Sequence, residues 1–206
     1  LRRLRDALYS ALDADDANGV RRPFAALVLA EVARTDRVAP WMSPAEREAM
    51  LARATTYLGS VRDYRGFEAG IGWRHGVAHG ADWLLQLSLN PALDAAQLQR
   101  ILDAVALQAV PGSGHAYVFG EADRLVQPVA YVARRGVLTD ADWQAWLHAL
   151  SARLGPMPAG GDADWLARRH DLVAFLSALY IQADSSQNEA LRALKPHVAK
   201  AMAGGG

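Results

Sequence analysis

The sequence predicts an all-α fold of antiparallel helix pairs, wound as an αα-superhelix or a HEAT-like array. Three observations carry this. Apolar residues recur at spacings of three and four, as in Leu98, Ile101, Leu102 and Val105, or Leu172, Val173, Leu176 and Leu179. Proline and glycine punctuate the chain at helical intervals, with Pro40, Pro44, Pro91, Pro111, Pro156 and Pro158 between the periodic stretches. No segment alternates polar and apolar residues between hairpin turns; Tyr117-Val118-Phe119 is one short β-like run, set in a Gly-rich loop. Short connections make successive helices antiparallel neighbours. No repeat of fixed period accompanies them.

In chain order the helices fall near 1–14, 22–36, 44–59, 73–89, 95–110, 121–135, 140–154 and 163–182, with a last one near 187–202. Several starts have a stated chemistry. Ser43-Pro44-Ala45-Glu46 places a capping hydroxyl, a proline in the first turn and a Glu able to reach back. Asp94, Thr139 with Asp142, and Asp162 read the same way. Pro128 and Pro196 fall inside predicted helices, where each should kink or end the helix.

A chain of 206 residues with 51% apolar content suits one domain with an ample core. The expected unit is 1–203, with 204–206 as a disordered glycine tail. There is no cysteine, so thiolate metal sites and disulfides are excluded, and any metal would need His, Asp or Glu. Lys plus Arg and Asp plus Glu both number 22, which leaves no single-signed field to draw nucleic acid or an acidic membrane. No apolar run approaches the length of a membrane-spanning helix. The expected partners are therefore a protein, a peptide or a small molecule.

One segment, Tyr64 to Asp82, departs from ordinary helix. It carries Gly66, Gly70, Gly72, Gly76 and Gly80. Glycine inside a helix costs about 0.5–1 kcal/mol relative to alanine, so close approach by a neighbouring backbone or a ligand is the expected compensation. His75, His79 and Asp82 are spaced i, i+4, i+7 and share one face of a helix, with Gln86 continuing the stripe. Val77, Ala81 and Leu84 lie opposite, as a core face. If the helix starts near Gly72 or Trp73, His75 sits in its first turn, where the dipole favours a neutral imidazole that can accept a hydrogen bond, act as base or bind metal. His75, His79 and Asp82 are accordingly candidate ligands for a divalent metal. The Glu that metalloproteases place beside the first His is absent, since position 76 is Gly.

Bland readings stand beside each of these. A His pair on a helix is as readily a hydrogen-bonded groove or a structural network. Trp73 and Trp83 are expected more as packing residues than as ligand platforms. Arg65 could clamp an anion or simply pair with Asp63 or Glu68. Glu121 and Asp123 head a predicted helix, where acids serve the dipole; the functional alternative has one of them, with Arg124, facing the His stripe across a groove.

These motifs resemble a known family. Arg22-Pro23-Phe24-Ala25-Ala26-Leu27-Val28-Leu29-Ala30 looks like the Arg-Ser-Phe-Ser-x-Leu-x-Leu-Ala segment of the bacterial "domain of unknown function 2785" family. Arg65-Gly66-Phe67, then Gly72-Trp73-Arg74-His75-Gly76-Val77-Ala78-His79-Gly80-Ala81-Asp82, resembles its Arg-Gly-[Tyr/Phe] and Gly-Trp-x-His-x-x-Ala-His-x-Ala-Asp signature. Glu121-Ala122-Asp123-Arg124-Leu125 resembles its Glu-Asp-x-Arg-Leu segment, with Ala122 where an acid is usual. The resemblance implies an all-α, cytoplasmic bacterial protein with no assigned activity, and a further N-terminal helical region in full-length members. His75-Gly76 and His79-Gly80 also resemble the His-Gly motifs of lanthionine-cyclase-like α/α toroids, but the Cys zinc ligand of those enzymes has no counterpart here.

Two functions follow as expectations. The first is an interaction or scaffold module whose groove binds a peptide or protein. The second is an enzyme or small-ligand or metal-binding protein, with its site at Arg65, Trp73, His75, His79, Asp82, Glu121, Asp123 and Arg124.

Overall fold

A computed structural model describes residues 1–112 and 114–204. The chain runs α1 (Arg2–Asp13), α2 (Arg21–Val38), α3 (Pro44–Ser60), a two-stranded hairpin of β1 (Phe67–Glu68) and β2 (Gly72–Trp73), α4 (Gly76–Ser88), α5 (Ala95–Ala109), α6 (Glu121–Arg134), α7 (Asp140–Ala152), α8 (Ala163–Ser185), α9 (Glu189–Arg192) and α10 (Lys195–Gly204). It is mostly helical. Gly204 closes α10, and Gly205 and Gly206 of the predicted tail lie outside the described residues.

The predicted caps form. The Ser43 hydroxyl accepts from the Glu46 amide, and the Glu46 carboxylate accepts from the Ser43 amide at 2.8 Å. Asp94 with Gln97, and Thr139 with Asp142, make the same reciprocal pair. Asp162 accepts from the amides of Asp164 and Trp165. Each pair satisfies amides that the first helical turn would otherwise leave unpaired.

Three boundaries differ from the sequence reading. Helix α4 starts at Gly76, because residues 67–73 form the hairpin, in which Phe67 pairs with Trp73 and Glu68 with Gly72. Gly70 and Gly72, at φ +82° and +101°, supply the turn conformations that most residues avoid. The last predicted helix is two, with Pro196 in the first turn of α10, where a missing amide costs nothing. Pro128, by contrast, does not end its helix, and α6 continues to Arg134. Tyr117-Val118-Phe119 is loop.

Helices pack chiefly on the helix two places along: α2 on α4, α4 on α6, α6 on α8, and α3 on α5. Helix α4 is the centre of the fold, touching α2, α3, α5 and α6. Almost all of it is buried, including Val77, Ala81, Trp83 and Leu84. Gly80 allows this. A Cβ there would meet Leu58 Cδ1 at 3.0 Å and the Tyr57 ring at 3.1 Å, so α3 lies against bare backbone. At Gly76 the nearest atom would be 3.4 Å away, an ordinary contact. The close approach read from the glycine stripe is therefore at Gly80.

Asp36 is a fully buried carboxylate that ties the first half together. It receives Arg47 Nε at 2.6 Å, the amides of Trp41 and Met42, and Asn90 Nδ2 at 3.1 Å. Burial pushes its pKa up, but Arg47 and the two amides outweigh that and hold it below the usual carboxylate range.

Candidate functional site

The segment joining the hairpin to α4 carries the one non-glycine residue with positive φ among the described residues. His75 caps α4 at φ 52°, ψ 44°, in the left-handed region. Such a conformation costs on the order of 1–3 kcal/mol and persists where the surroundings over-determine it. Those surroundings are visible on both sides. The His75 amide donates to Arg65 O, and the Arg74 amide donates to Gly66 O. On the ring, Nε2 lies 3.1 Å from Phe119 O and 3.5 Å from Glu121 Oε1.

Both of those atoms are acceptors, so Nε2 is the protonated nitrogen of the His75 ring. Nδ1 then keeps its lone pair in the neutral form. His79 is anchored with the opposite nitrogen: Nδ1 meets Pro23 O at 3.1 Å, which leaves Nε2 as acceptor. Burial lowers the His79 pKa, and the Asp82 charge and the Pro23 carbonyl do not restore it, so His79 is a neutral imidazole near pH 7.

Glu121 supports His75 from below. It is 2% exposed, and Oε2 accepts the Phe119 amide at 2.9 Å. Burial raises its pKa, but His75 and the amides of residues 119 and 121 outweigh that and keep the carboxyl ionised below the usual range. Glu121 thus fixes both the histidine ring and the loop that brings in Phe119.

Around the histidines the rings form a continuous surface. Phe67 stands edge-on to Trp73 at 5.4 Å, and Trp73 to Phe119 at 6.1 Å. Trp73 lies 4.5 Å from His75, His75 6.1 Å from His79, and His79 5.3 Å from Phe24. Phe67 and Trp73 are each 48% exposed, Phe24 41% and Phe119 36%. Ile71 and Val118, on the adjoining turn and loop, are more exposed still. The core aromatics Trp83 and Phe175, in contrast, have no exposure at all.

The structure sorts the predicted residues. Trp73, His75, His79 and Glu121 come together. Asp82 joins them at the edge, where its carboxylate is gripped by the Arg124 guanidinium, Nε at 2.9 Å. Arg65 is engaged by Asp63, its Nε at 2.8 Å, and lines a shallow hollow with Phe67 and Phe119. Asp123 is exposed, and its carboxylate has no partner among the described residues. Trp73 is half exposed and Trp83 is the core residue. His79 is not on a solvent face: it is 7% exposed, because α2 covers that side of α4.

The trio His75, His79 and Asp82 does not assemble as metal ligands. Asp82 is held by Arg124, and His75 is the left-handed cap of α4, its ring turned to Phe119 O and Glu121. Among the described residues no three His, Asp or Glu side chains gather as a metal site. Sequence reasoning also missed Phe24, the Pro23 carbonyl and the Phe119 carbonyl. Phe24 was visible as an aromatic residue among small apolar ones, but carbonyl positions carry no sequence signal.

A second polar group lies beside residues 114–120. Asp171, 1% exposed, accepts the Tyr117 amide at 2.8 Å through Oδ1, while Oδ2 is buried without a partner. Burial pushes its pKa up to about 7. The Tyr117 hydroxyl donates to Gln108 Oε1 at 2.9 Å, and His115 stacks on Tyr64 at 5.0 Å.

Fold and site define an all-α protein with a histidine-centred aromatic face carried by its central helix. The chain belongs to the family described as "Protein of unknown function (DUF2785)", whose model matches residues 8–181. No curated protein and no solved structure matches it. No helix among the described residues is long and apolar enough to cross a membrane.

Proposed function

We propose that this protein is a recognition module that binds an apolar peptide or protein segment across the exposed rings of Phe67, Trp73 and Phe119, with His75 beside them. The observation behind it is that Phe67, Trp73 and Phe119 touch one another while each stays a third to a half exposed, whereas Trp83 and Phe175 are buried completely. Exposed apolar patches of this kind mark interaction sites, and aromatic anchors dominate the energetics of such surfaces. The chemistry suits a peptide. Rings accept apolar side chains, and the His75 ring beside Trp73 adds a polar group to the face. Packing of each helix on the one two places along supports a short αα-superhelical scaffold that holds this face rigid.

A selection of random peptides displayed on phage, run against the wild type and Trp73→Ala, tests this. Trp73 is half exposed, so its removal leaves the fold intact. Enrichment of a shared apolar motif on the wild type, lost with Trp73→Ala, is the expected result. No enrichment, or equal binding to both proteins, overturns the proposal.

One observation favours a second reading. Strain at His75, with a buried carboxylate behind it, resembles the pre-organisation of a catalytic base or small-ligand site. Two free imidazole nitrogens could also take a divalent ion if a ligand or water completed the shell. Thermal-shift screening against polar metabolites and zinc separates these readings: stabilisation lost in His75→Ala but kept in Trp73→Ala would favour the second.

A further inference from the structure

A separate cleft of about 660 Å³ opens between α7 and α10, far along the chain from the ring surface. Its floor is apolar, formed by Leu147, Ala145, Ala152 and Ala201. Lys200 carries the formal charge of its lining, beside the polar Gln144, Ser151 and two histidines. Lys200, His148 and His197 face the cleft, and no Asp or Glu lines it. Lys200 and His148 have no carboxylate partner among the described residues. The nearby acid, Asp140, is already committed: His197 Nε2 lies 2.5 Å from Oδ1, and Gln144 donates to Oδ2. That pairing orients His197 at the edge of the cleft. Ser151, also in the lining, has a buried hydroxyl with no hydrogen-bond partner.

An apolar floor with a few convergent polar groups is the usual make-up of a small-ligand pocket, and the volume lies in the usual range. The sign of the lining then selects the ligand. We infer that this cleft binds a small amphipathic carboxylate, with the hydrocarbon body on Leu147 and Ala201 and the anionic head on Lys200, helped by the histidines and the Ser151 hydroxyl. The ligand's carboxylate would supply the acceptor that Ser151 lacks. This site is independent of the ring surface and does not rest on the peptide reading.

Isothermal titration with decanoate and with decylamine tests the inference on the intact chain. Decanoate is expected to bind and decylamine not, since the two share a body and differ in charge. Lys200→Glu, an exposed substitution that the fold tolerates, should weaken decanoate at least about tenfold, which corresponds to loss of one good charged contact. Ala201→Trp should fill the cleft and abolish binding. Equal binding of the amine overturns the charge argument. Decanoate binding that survives both substitutions overturns the location, and absence of decanoate binding to the wild type overturns the inference outright.

Discussion

His75 Nε2 stands 3.5 Å from Glu121 Oε1, joining the cap of the central helix to the first residue of α6. The same carboxylate holds the Phe119 amide, so one buried charge fixes both a strained histidine and the loop beside it. Glu121→Ala should leave the Phe119 amide without its acceptor in a covered site, while His75 Nε2 keeps the Phe119 carbonyl. The expected loss is about 1–3 kcal/mol, measured by urea unfolding. Amide exchange at Phe119 should accelerate in the same variant, and unchanged protection there would contradict the assignment.

Backbone conformation at position 75 gives a second test. His75→Gly relieves the left-handed strain, whereas His75→Val places a β-branched residue in a region it avoids. The valine variant should be less stable than the glycine variant by about 1–3 kcal/mol. Equal melting midpoints would mean that His75 adopts another conformation.

Glycine packing distinguishes two positions on one helix. Gly80→Leu should cost about 1–3 kcal/mol or more, because Leu58 and Tyr57 already occupy the space. Gly76→Ala meets only ordinary contacts and should stay within about 1 kcal/mol of wild type. Chemical denaturation of both variants checks the order.

Loss of Asp36 should be among the most damaging single changes. Asp36→Ala strands Arg47, Asn90 and two amides, and removing one partner of a buried pair costs about 3–5 kcal/mol. Its depressed pKa also sets a pH dependence. The stability it contributes is present above the unfolded-state value of 3.8 and disappears as pH falls through the lower folded value. Asp36→Asn should flatten the acid limb of the stability profile.

Asp171 works in the opposite direction. Its folded pKa, about 7, exceeds the unfolded 3.8, so the folded state binds the extra proton between those values. Stability from this group is complete below pH 3.8 and is lost as pH rises towards about 7. Asp171→Asn keeps an acceptor for the Tyr117 amide and cannot ionise. It should therefore gain on the wild type as pH rises from 4 to 7, and a constant difference across that window would refute the assignment.

Much of this was legible in the residues, and the reason is local. Caps at Ser43, Asp94, Thr139 and Asp162 follow from short-range hydrogen bonding, and the helices follow from apolar periodicity. The His-rich segment declared itself by glycines that no solvent-exposed helix would keep. What failed was also physical. The hairpin at 67–73 is two residues per strand, too short for an alternation to register, and it moved the start of α4 past His75. That shift leaves His75 as the left-handed cap of α4 and not a residue of its first turn.

Helical class, most helix starts and the candidate segment around His75 could be read from the residues alone, because propensity, capping and periodicity act over a few residues. Tertiary structure decided which partners those side chains meet. Glu121 reaches His75 across 46 positions of chain only because α6 packs on α4, and Asp82 pairs with Arg124 for the same reason. Exposure of Trp73 and burial of Trp83 were likewise settled by packing: long-range contacts choose which aromatic is covered, and no local pattern encodes that choice.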